Sequence, residues 1–396
     1  MQTQAVESEA TTFKACKLAY IFLLALLLAA CSSAPSATPT PPVTPRPPRV
    51  EEITFQSGAF TLVGDLVLPE GTGPFPVIIS VPGSEPGERE GRWPVSELMW
   101  RAGYATFSWD APGKGESTGV IDQSQVIAQR AQILLDGIEV MKAHPRIDPE
   151  WIGLLGGSQG GYVMPRALAQ SEDIAFMICV SCPGMAGNDQ MAYQIVVMAL
   201  CNASSGESMS QITPLLSELK AAAAYDTYEE YLHYRQVLDA VAQLAHASTG
   251  DRPPMSEETW DENPMIPQTY WNPIEVIEQT DIPILAIFGD LDRNMDPIQA
   301  EYAYRKALEQ ASNPLSRVEV FSGANHGMLV SKTGCMDEWQ QILEQYTQSQ
   351  GYASLSEFEQ AIKKDPYRPG WYSDFPFAPG VLDLVEEWLR DLRDSH

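Results

Sequence analysis

Short, almost wholly apolar runs recur along the chain, and they limit its fold more than any other feature of the sequence. They cover residues 76–81, 104–109, 151–155, 174–181, 282–288 and 318–321. Runs of this length are typical of strands buried on both faces, as in a parallel sheet covered by helices. Segments with helical apolar spacing lie between and after them, at residues 123–143 and 381–392. The alternation predicts an α/β fold with a mostly parallel sheet flanked by helices.

The interval between two of the predicted strands is far longer than a simple crossover needs. Residues 185–281 fill it and contain helical patterns at 210–224 and 228–247. We therefore predict a helical cap, inserted between the core segments 51–184 and 282–396. Its aromatic residues are expected mainly to pack the cap, and a few of them to line an acyl or aromatic pocket. They are Tyr225, Tyr228, Tyr231, Tyr234, Trp260, Tyr270 and Trp271.

The N-terminal segment has the pattern of an export signal. Lys14 and Lys17 precede an apolar run at residues 18–30, which is shorter than the ~20 residues that a membrane span needs. The run ends in Leu-Ala-Ala-Cys, which resembles a bacterial lipobox and implies cleavage before Cys31 and lipidation of that cysteine. The alternative is an ordinary signal peptide that happens to contain a cysteine.

The residues after Cys31 predict a tether. They are rich in Ser, Thr and Pro, a composition that cannot form a core. We predict a signal peptide at residues 1–30 and a tether at residues 31–50. The mature protein is then expected in the bacterial cell envelope, anchored to a membrane through the lipid on Cys31, at the periplasmic or the outer surface.

The charge of the chain argues against one class of partner. Against 52 Asp and Glu residues stand 25 Lys and Arg residues, so the formal net charge is −27. A surface of this sign repels phosphate backbones. Nucleic-acid binding is therefore not expected.

Four of the six cysteines lie in the body of the chain: Cys179, Cys182, Cys201 and Cys335. An exported protein can pair them, but the sequence leaves the pairing open. Cys179 and Cys182 stand at the end of an apolar run with no histidine nearby, which favours buried packing residues over a metal site.

One serine stands where a buried strand is predicted to end. Residues 156–161 read Gly-Gly-Ser-Gln-Gly-Gly, directly after the strand predicted at 151–155. The pattern G-x-S-x-G is typical of a sharp strand-to-helix turn that exposes a serine hydroxyl. We therefore predict that Ser158 is a nucleophile, with a helix N-terminus beside it that favours negative charge.

A serine hydroxyl needs a base and a carboxylate that orients the base. Of the five histidines, His326 follows the last predicted strand in a loop that can reach Ser158, and it is the predicted base. The carboxylates that compete for the third position are Asp290, Asp292 and Asp296. Asp292 ranks first by its spacing from the end of the preceding strand, and Asp296 ranks second.

Acyl transfer also needs donors for the charge that develops on the carbonyl oxygen. One is predicted to be the backbone N–H of Gln159, the residue after the nucleophile. The second is expected from the loop that follows residues 76–81, where Ser84 is the candidate.

Together these motifs resemble the α/β-hydrolase superfamily over residues 53–392. Residues 109–117, Trp-Asp-Ala-Pro-Gly-Lys-Gly-Glu-Ser, are similar to its D-x-R-G-x-G-x-S loop. The branch that the chain resembles contains bacterial esterases and dienelactone-hydrolase-like or prolyl-oligopeptidase-like hydrolases. The chain departs from the family pattern at Pro82, where a histidine is common, and at Pro112, where an arginine is common. Residues 328–380 are an unusually long stretch that is expected to add to the pocket rim.

The resemblance implies a serine hydrolase that acts on small-molecule esters or other acyl substrates without a cofactor or a metal. The order in which Ser158, Asp292 and His326 follow one another along this chain is that of the superfamily. A peptidase of the same fold (aminopeptidase-like or dipeptidyl-peptidase-like), a thioesterase and a lactonase are the alternatives. A non-catalytic binding lipoprotein is the alternative from another class. The sequence sets neither the substrate nor the oligomeric state.

Overall fold

The computed structural model describes most of the chain after residue 48. The described residues are 49–84, 87–89, 96–122, 125–202, 214–215, 218–219, 221–222, 227–244, 256–257, 271–371 and 374–395. They belong to one compact unit, Pro47–His396. The predicted signal peptide, Cys31 and most of the predicted tether lie outside the described residues, as does most of the helix predicted at 210–224. Within the described ranges, no helix is both long and apolar enough to span a membrane.

An eight-stranded sheet forms the centre of the fold. In chain order its strands are β1 (Arg49–Ser57), β2 (Phe60–Leu68), β3 (Phe75–Val81), β4 (Ala105–Trp109), β5 (Ile147–Gly157), β6 (Phe176–Val180), β7 (Ile284–Gly289) and β8 (Arg317–Phe321). Across the sheet the order is β1-β2-β4-β3-β5-β6-β7-β8. The strands from β4 to β8 pair in parallel, and β2 pairs antiparallel with both β1 and β4. The predicted α/β class with a mostly parallel sheet is confirmed.

Helices flank this sheet and build the segments inserted into it. They are α1 (Ser96–Arg101), α2 (Val126–Lys142), α3 (Gly160–Leu168), α4 (Gly187–Asn202), α5 (Tyr228–Leu244), α6 (Ile274–Ile277), α7 (Pro297–Ala311), α8 (Met336–Ser349), α9 (Leu355–Lys364) and α10 (Val381–Ser395). The helical patterns at 123–143, 228–247 and 381–392 are thus present as α2, α5 and α10.

The core has two halves, one on each face of the sheet. Residues of α2, α3 and α7 pack on one face, and residues of α1 and α10 pack on the other. Helix α10 shows why the sequence forms this layer: Val381, Val385, Trp388 and Leu392 are buried and recur every three or four positions. The Trp388 indole donates to the Leu315 carbonyl at 2.6 Å, which satisfies its only polar atom inside the core.

Residues 185–281, here called the first insertion, contain α4, α5 and the short helix α6. Tyr231 and Tyr234 of α5 are buried and so pack the cap. Trp271 is half-buried and packs against Tyr162 of α3, with ring centroids 6.2 Å apart and the rings tilted. Tyr225, Trp260 and Tyr270 lie outside the described residues. Tyr231 and Tyr234 are thus buried in the insertion, whereas Trp271 packs on the core of the sheet.

Residues 328–380, here called the second insertion, contain α8 and α9 and a small core of their own. Tyr346, Phe358 and Trp371 form this core, and the Tyr346 hydroxyl donates to the Trp371 carbonyl at 2.7 Å. A disulfide joins Cys201, at the end of α4, to Cys335, the residue before α8, with 5.8 Å between the Cα atoms. The two insertions are thus covalently linked. The other two body cysteines are free and buried, as predicted.

Candidate active site

Ser158 occupies a strained turn between β5 and α3. Its φ is +52°, a left-handed value that a non-glycine residue adopts at a cost. The Ser158 N–H donates to the carbonyls of Val180 and Ser181, at 3.3 and 3.2 Å, and its own carbonyl accepts from the Gly161 N–H at 2.9 Å. The turn is therefore held from the neighbouring strand β6 and from the first turn of α3, and this is the geometry that the G-x-S-x-G pattern predicts.

The glycines of that pattern are required because strand β3 passes directly against the turn. A Cβ atom at Gly156 would lie 2.8 Å from the Val81 carbonyl oxygen, and a Cβ atom at Gly160 would lie 2.5 Å from it. Any larger side chain at either position would push the serine away from the end of β3.

Asp292 and His326 meet at the same edge of the sheet, in the loops after β7 and β8. Asp292 Oδ2 lies 2.8 Å from His326 Nδ1, and the Asp292 side chain is 1% exposed. Its other oxygen, Oδ1, accepts from the N–H groups of Asn294 and Met295 at 2.7 and 2.8 Å. A carboxylate accepts only, so Nδ1 of His326 donates and Nε2 is left to accept a proton.

Ser158 and His326 line the same cavity. Among the described residues, no hydrogen bond joins the Ser158 hydroxyl to the His326 ring. Catalytic hydrogen bonds of this kind are often long before a substrate binds. The structure therefore brings the predicted nucleophile and base to one cavity and pairs the base with Asp292.

The two competing carboxylates have other partners. Asp296 is the N-cap of α7 and accepts from the N–H groups of Ile298 and Gln299, both at 3.1 Å. Asp290 accepts from the Ser322 hydroxyl and the Gly323 N–H, at 2.9 and 2.7 Å, and so ties the loop after β7 to the loop after β8.

Two described histidines lie elsewhere. His144 Nε2 is 3.2 Å from Glu51, and His233 Nε2 is 3.8 Å from Glu218. His246 and His396 lie outside the described residues. Of the histidines that the structure describes, His326 is thus the one that lines the cavity with Ser158.

Asn325 fixes the turn that carries His326. It is fully buried, and its side-chain oxygen accepts from the N–H groups of Gly327 and Leu329, each at 3.0 Å. Sequence reasoning missed this residue. The signal was its position beside the histidine, because Asn side chains commonly bond their own following backbone in turns.

Glu338 fixes the loop that follows. It accepts from the side chains of Ser331 and Thr333 and from the N–H groups of Lys332 and Gly334. Partial burial raises the pKa of Glu338, but these hydrogen bonds outweigh it and lower the pKa to about 2.

The first insertion reaches the site through the loop that carries Asp292. The Tyr193 hydroxyl of α4 donates to the Asp292 carbonyl at 3.2 Å, and the Gln190 side chain donates to the Asn294 carbonyl at 2.6 Å. Neither contact could be predicted from sequence, since it depends on how the cap is docked.

A buried arginine contacts both segments that carry the predicted oxyanion donors. Gly83 is next to the nucleophile: a Cβ atom on it would lie 3.2 Å from Ser158 Cβ and 3.6 Å from Oγ. Ser84 itself is exposed and Gly83 lines the cavity. Arg130 of α2 donates to the Gly83 carbonyl at 2.9 Å and to the Gln159 side-chain oxygen at 2.6 Å. Sequence reasoning missed Arg130.

The cavity beside Ser158 has a volume of about 410 Å³, within the range of small-molecule sites. Much of its wall comes from the second insertion, from Trp339, Leu343, Phe358, Ile362, Phe375 and Phe377. None of the described residues of the first insertion lines it. The expectation that some cap aromatics line the pocket is therefore not met by Tyr228, Tyr231, Tyr234 or Trp271, and the second insertion contributes wall as well as rim.

Charged groups are scarce around this cavity. Besides His326, the described residues of its wall include one titratable side chain, the exposed Glu359. Within the described ranges, no cluster of three or more His, Cys, Asp or Glu side chains could hold a metal ion. The cavity can take an uncharged, apolar group with its reacting end at Ser158.

Comparisons with known proteins point to hydrolases. The family described as BAAT / Acyl-CoA thioester hydrolase C terminal matches residues 134–241. A curated relative, the 2,6-dihydropseudooxynicotine hydrolase of Paenarthrobacter nicotinovorans, is 26% identical over 183 residues, which is 45% of this chain and 43% of the relative. The chain thus matches less than half the length of this relative.

Solved structures with a similar chain fold include an esterase of Pyrococcus furiosus, at 14% identity and a TM-score of 0.45, covering 80% of this chain and 91% of the esterase. An acylaminoacyl peptidase of Pyrococcus horikoshii matches at 19% identity and a TM-score of 0.44, covering 71% of this chain and 38% of the peptidase.

Proposed function

We propose that this chain, which has the α/β-hydrolase fold, hydrolyses carboxylic esters through an acyl-enzyme on Ser158. The observation that carries the proposal is the buried Asp292 carboxylate, held 2.8 Å from His326 in a cavity that Ser158 also lines. A nucleophile, a base and an orienting carboxylate at one cavity are the groups that acyl transfer needs.

The first half of the reaction forms the acyl-enzyme. The Ser158 hydroxyl attacks the ester carbonyl while His326 Nε2 takes its proton, and Asp292 stabilises the imidazolium through Nδ1. The N–H groups of Gln159 and Ser84 donate to the oxyanion. The C–O bond to the alcohol then breaks, and the alcohol leaves with the proton from His326.

The second half releases the acid. A water molecule gives a proton to His326 and attacks the acyl carbonyl, and a second tetrahedral intermediate forms in the same oxyanion hole. Its collapse breaks the bond to Ser158 Oγ, which recovers the proton. The residues of the chain thus return to their starting state without a cofactor.

The cavity wall favours an uncharged acyl group. Trp339, Leu343 and Phe358 are among its apolar residues, and desolvating a charged group against such a wall is costly. A volume of about 410 Å³ accommodates a medium-length acyl chain or a ring. We therefore propose small-molecule esters of apolar acids as substrates.

Thioesters are the second candidate. The match of residues 134–241 to an acyl-CoA thioester hydrolase family supports them, and the same acyl-enzyme would form with a thiol in place of the alcohol. A peptidase activity needs protonation of an amine leaving group, and it is the third arm of the test below.

The cell envelope is the proposed location. Disulfides persist in oxidising compartments, so the bond between Cys201 and Cys335 supports export. The lipobox-like sequence before Cys31 supports a lipid anchor. Metabolic labelling with a fatty-acid analogue tests it: the mature protein should carry the label, and Cys31→Ser should not.

A substrate panel tests the proposed reaction. It pairs the same acyl groups, from acetyl to decanoyl and benzoyl, with an alcohol, a thiol or an amine leaving group. We expect the highest kcat/KM for esters of apolar acids and no turnover by Ser158→Ala. Turnover of the amides alone would replace the esterase with an amidase or peptidase, and turnover that survives Ser158→Ala would overturn the nucleophile.

A further inference from the structure

Arg130 is a buried cation whose hydrogen bonds go to neutral groups. It lies in α2 with 8% of the residue exposed. Its guanidinium donates to the carbonyls of Pro82 and Gly83 and to the side-chain oxygen of Gln159. Among the described residues, no carboxylate lies within ion-pair distance of it. Burial lowers the pKa of Arg130 to about 10, so it stays protonated at neutral pH.

Such a cation is costly to bury, since water is replaced by carbonyl and amide dipoles alone. Apolar residues could join the same segments with a smaller loss of solvation free energy. The position of the three acceptors therefore indicates what Arg130 does: two are the carbonyls of the residues before Ser84, and the third is the side-chain oxygen of Gln159. Both of these residues are predicted to donate to the oxyanion.

The bond to Gly83 acts on the peptide unit of Ser84. The Gly83 carbonyl and the Ser84 N–H belong to one planar trans peptide, so they point in opposite directions. Holding the carbonyl on the side of Arg130, at 2.9 Å, turns the N–H of Ser84 to the other side. A charge-assisted hydrogen bond to the carbonyl also polarises the N–H and makes it a better donor.

The bond to Gln159 acts on the other donor. Gln159 is the N-cap of α3, directly after the nucleophile. Its side-chain oxygen lies 2.6 Å from Arg130 Nη1, the same atom that donates to Gly83. One guanidinium nitrogen therefore links the loop after β3 to the residue after Ser158.

We propose that Arg130 is a positioning residue of the oxyanion hole. It fixes the spacing of the Ser84 and Gln159 N–H groups and keeps a positive charge behind them. This charge stabilises the negative charge that develops, in the transition state, on the oxygen to which the two groups donate. The proposal rests on the proposed function only in requiring that Ser158 is the nucleophile. It requires no particular leaving group or acyl chain.

Phosphonylation of Ser158 by a fluorophosphonate is the test. This reaction needs the nucleophile and the oxyanion hole but no knowledge of the substrate. Arg130→Met removes the charge and the donors at similar length, and Arg130→Lys keeps the charge without the planar fork. Met141→Ala, a buried position on the same helix, is the control for lost packing. Circular dichroism sets the folded fraction of each variant.

We expect the second-order rate constant for phosphonylation to fall about 10- to 100-fold in Arg130→Met and less in Arg130→Lys. Met141→Ala should keep the wild-type rate once corrected for folded protein. With an ester substrate, kcat should fall by a similar factor while KM changes less than about threefold, because the hole acts in the transition state.

A wild-type rate in folded Arg130→Met would overturn the proposal, and so would an equal loss in Met141→Ala. If wild type is phosphonylated at Ser158 but hydrolyses no ester, the proposed substrate class fails and the Arg130 comparison still stands. If Arg130→Met is too unstable to compare, the Arg130→Lys rate decides: an unchanged rate overturns the proposal.

Discussion

The two insertions of this fold contribute to the site in different ways. The first insertion touches the loop of Asp292 through Tyr193 and Gln190, and none of its described residues lines the cavity. The second insertion carries residues such as Phe358 and Ile362 that form the cavity wall. One segment therefore holds the loop that carries Asp292, and the other forms the wall of the cavity. Length and aromatic content alone would have assigned the pocket to the first.

Substituting Asp292 should have the largest effect. Asp292→Asn leaves the shape of the loop but no longer favours the tautomer with hydrogen on His326 Nδ1, so we expect kcat to fall about 10³- to 10⁴-fold. Steady-state kinetics measures this. Asp296→Asn, on the same loop, is the matched control and should keep kcat, since Asp296 caps α7. A larger loss in Asp296→Asn than in Asp292→Asn would reverse the assignment.

Breaking the link between the insertions should mainly reduce stability. Without the Cys201–Cys335 disulfide, we expect the free energy of unfolding to fall by about 2–4 kcal/mol. Cys201→Ser, Cys335→Ser and the double variant should unfold alike in urea, and dithiothreitol should bring the wild type to the same curve. Additive losses in the double variant would show that the two cysteines act separately.

A bulky side chain in the second insertion should change the selectivity for acyl-chain length, and one in the first insertion should not. Ile362→Trp adds bulk to the wall, so we expect kcat/KM for octanoyl and longer esters to fall about 10- to 100-fold. Acetyl esters should change by less than about threefold. Met191→Trp makes the same kind of change on an exposed face of α4 and should leave the acyl-length profile as it is. A shifted profile in Met191→Trp would assign selectivity to the first insertion.

Removing the contact between the first insertion and the loop that carries Asp292 should lower kcat modestly. Tyr193→Phe removes the hydroxyl that donates to the Asp292 carbonyl. One hydrogen bond is worth about 0.5–1.5 kcal/mol, so we expect a two- to tenfold loss of kcat with an unchanged acyl-length profile. An altered profile with wild-type kcat would contradict the division of roles.

The smallest effect, on the free energy of unfolding, should come from protonating Glu338 of the second insertion at acidic pH. The pKa of Glu338 is lowered to about 2 in the folded chain, below its usual value near 4.5. The stability that it contributes is therefore fully present above about pH 4.5 and is lost as the pH falls toward 2. We expect about 1 kcal/mol, allowing for solvent screening.

Urea unfolding of wild type and Glu338→Gln between pH 7 and pH 3 measures this contribution. The difference between them should be largest at pH 7 and shrink below pH 4.5. A difference that grows on acidification would have the wrong sign.

The fold, and the meeting of Ser158 and His326 at one cavity, could be predicted because local patterns determine them. Ser158 directly follows the buried strand β5, His326 follows the edge strand β8, and the carboxyl ends of parallel strands meet at one edge of the sheet. The choice among the aspartates was harder, since all three lie in one loop. One signal was available: Asp296 precedes Pro297, and Asp followed by Pro is typical of an N-cap and first helical position.

The remaining features depend on tertiary packing. Arg130 lies three residues after Ile127 and four before Leu134, on the apolar stripe of α2, so its burial had a sequence signal, but its partners did not. The cavity wall joins residues such as Trp339 and Phe375 to Ser158 across a long stretch of chain. Only the docking of the second insertion brings them together.

Mapping a covalent adduct identifies the nucleophile of the hydrolysis. The protein is treated with a fluorophosphonate, digested, and analysed by peptide mass spectrometry. We expect one adduct, on Ser158, that parallels the loss of ester hydrolysis and is absent from Ser158→Ala. An adduct on another residue that abolishes hydrolysis, or full hydrolysis after Ser158 has been modified, would show that Ser158 is not the nucleophile.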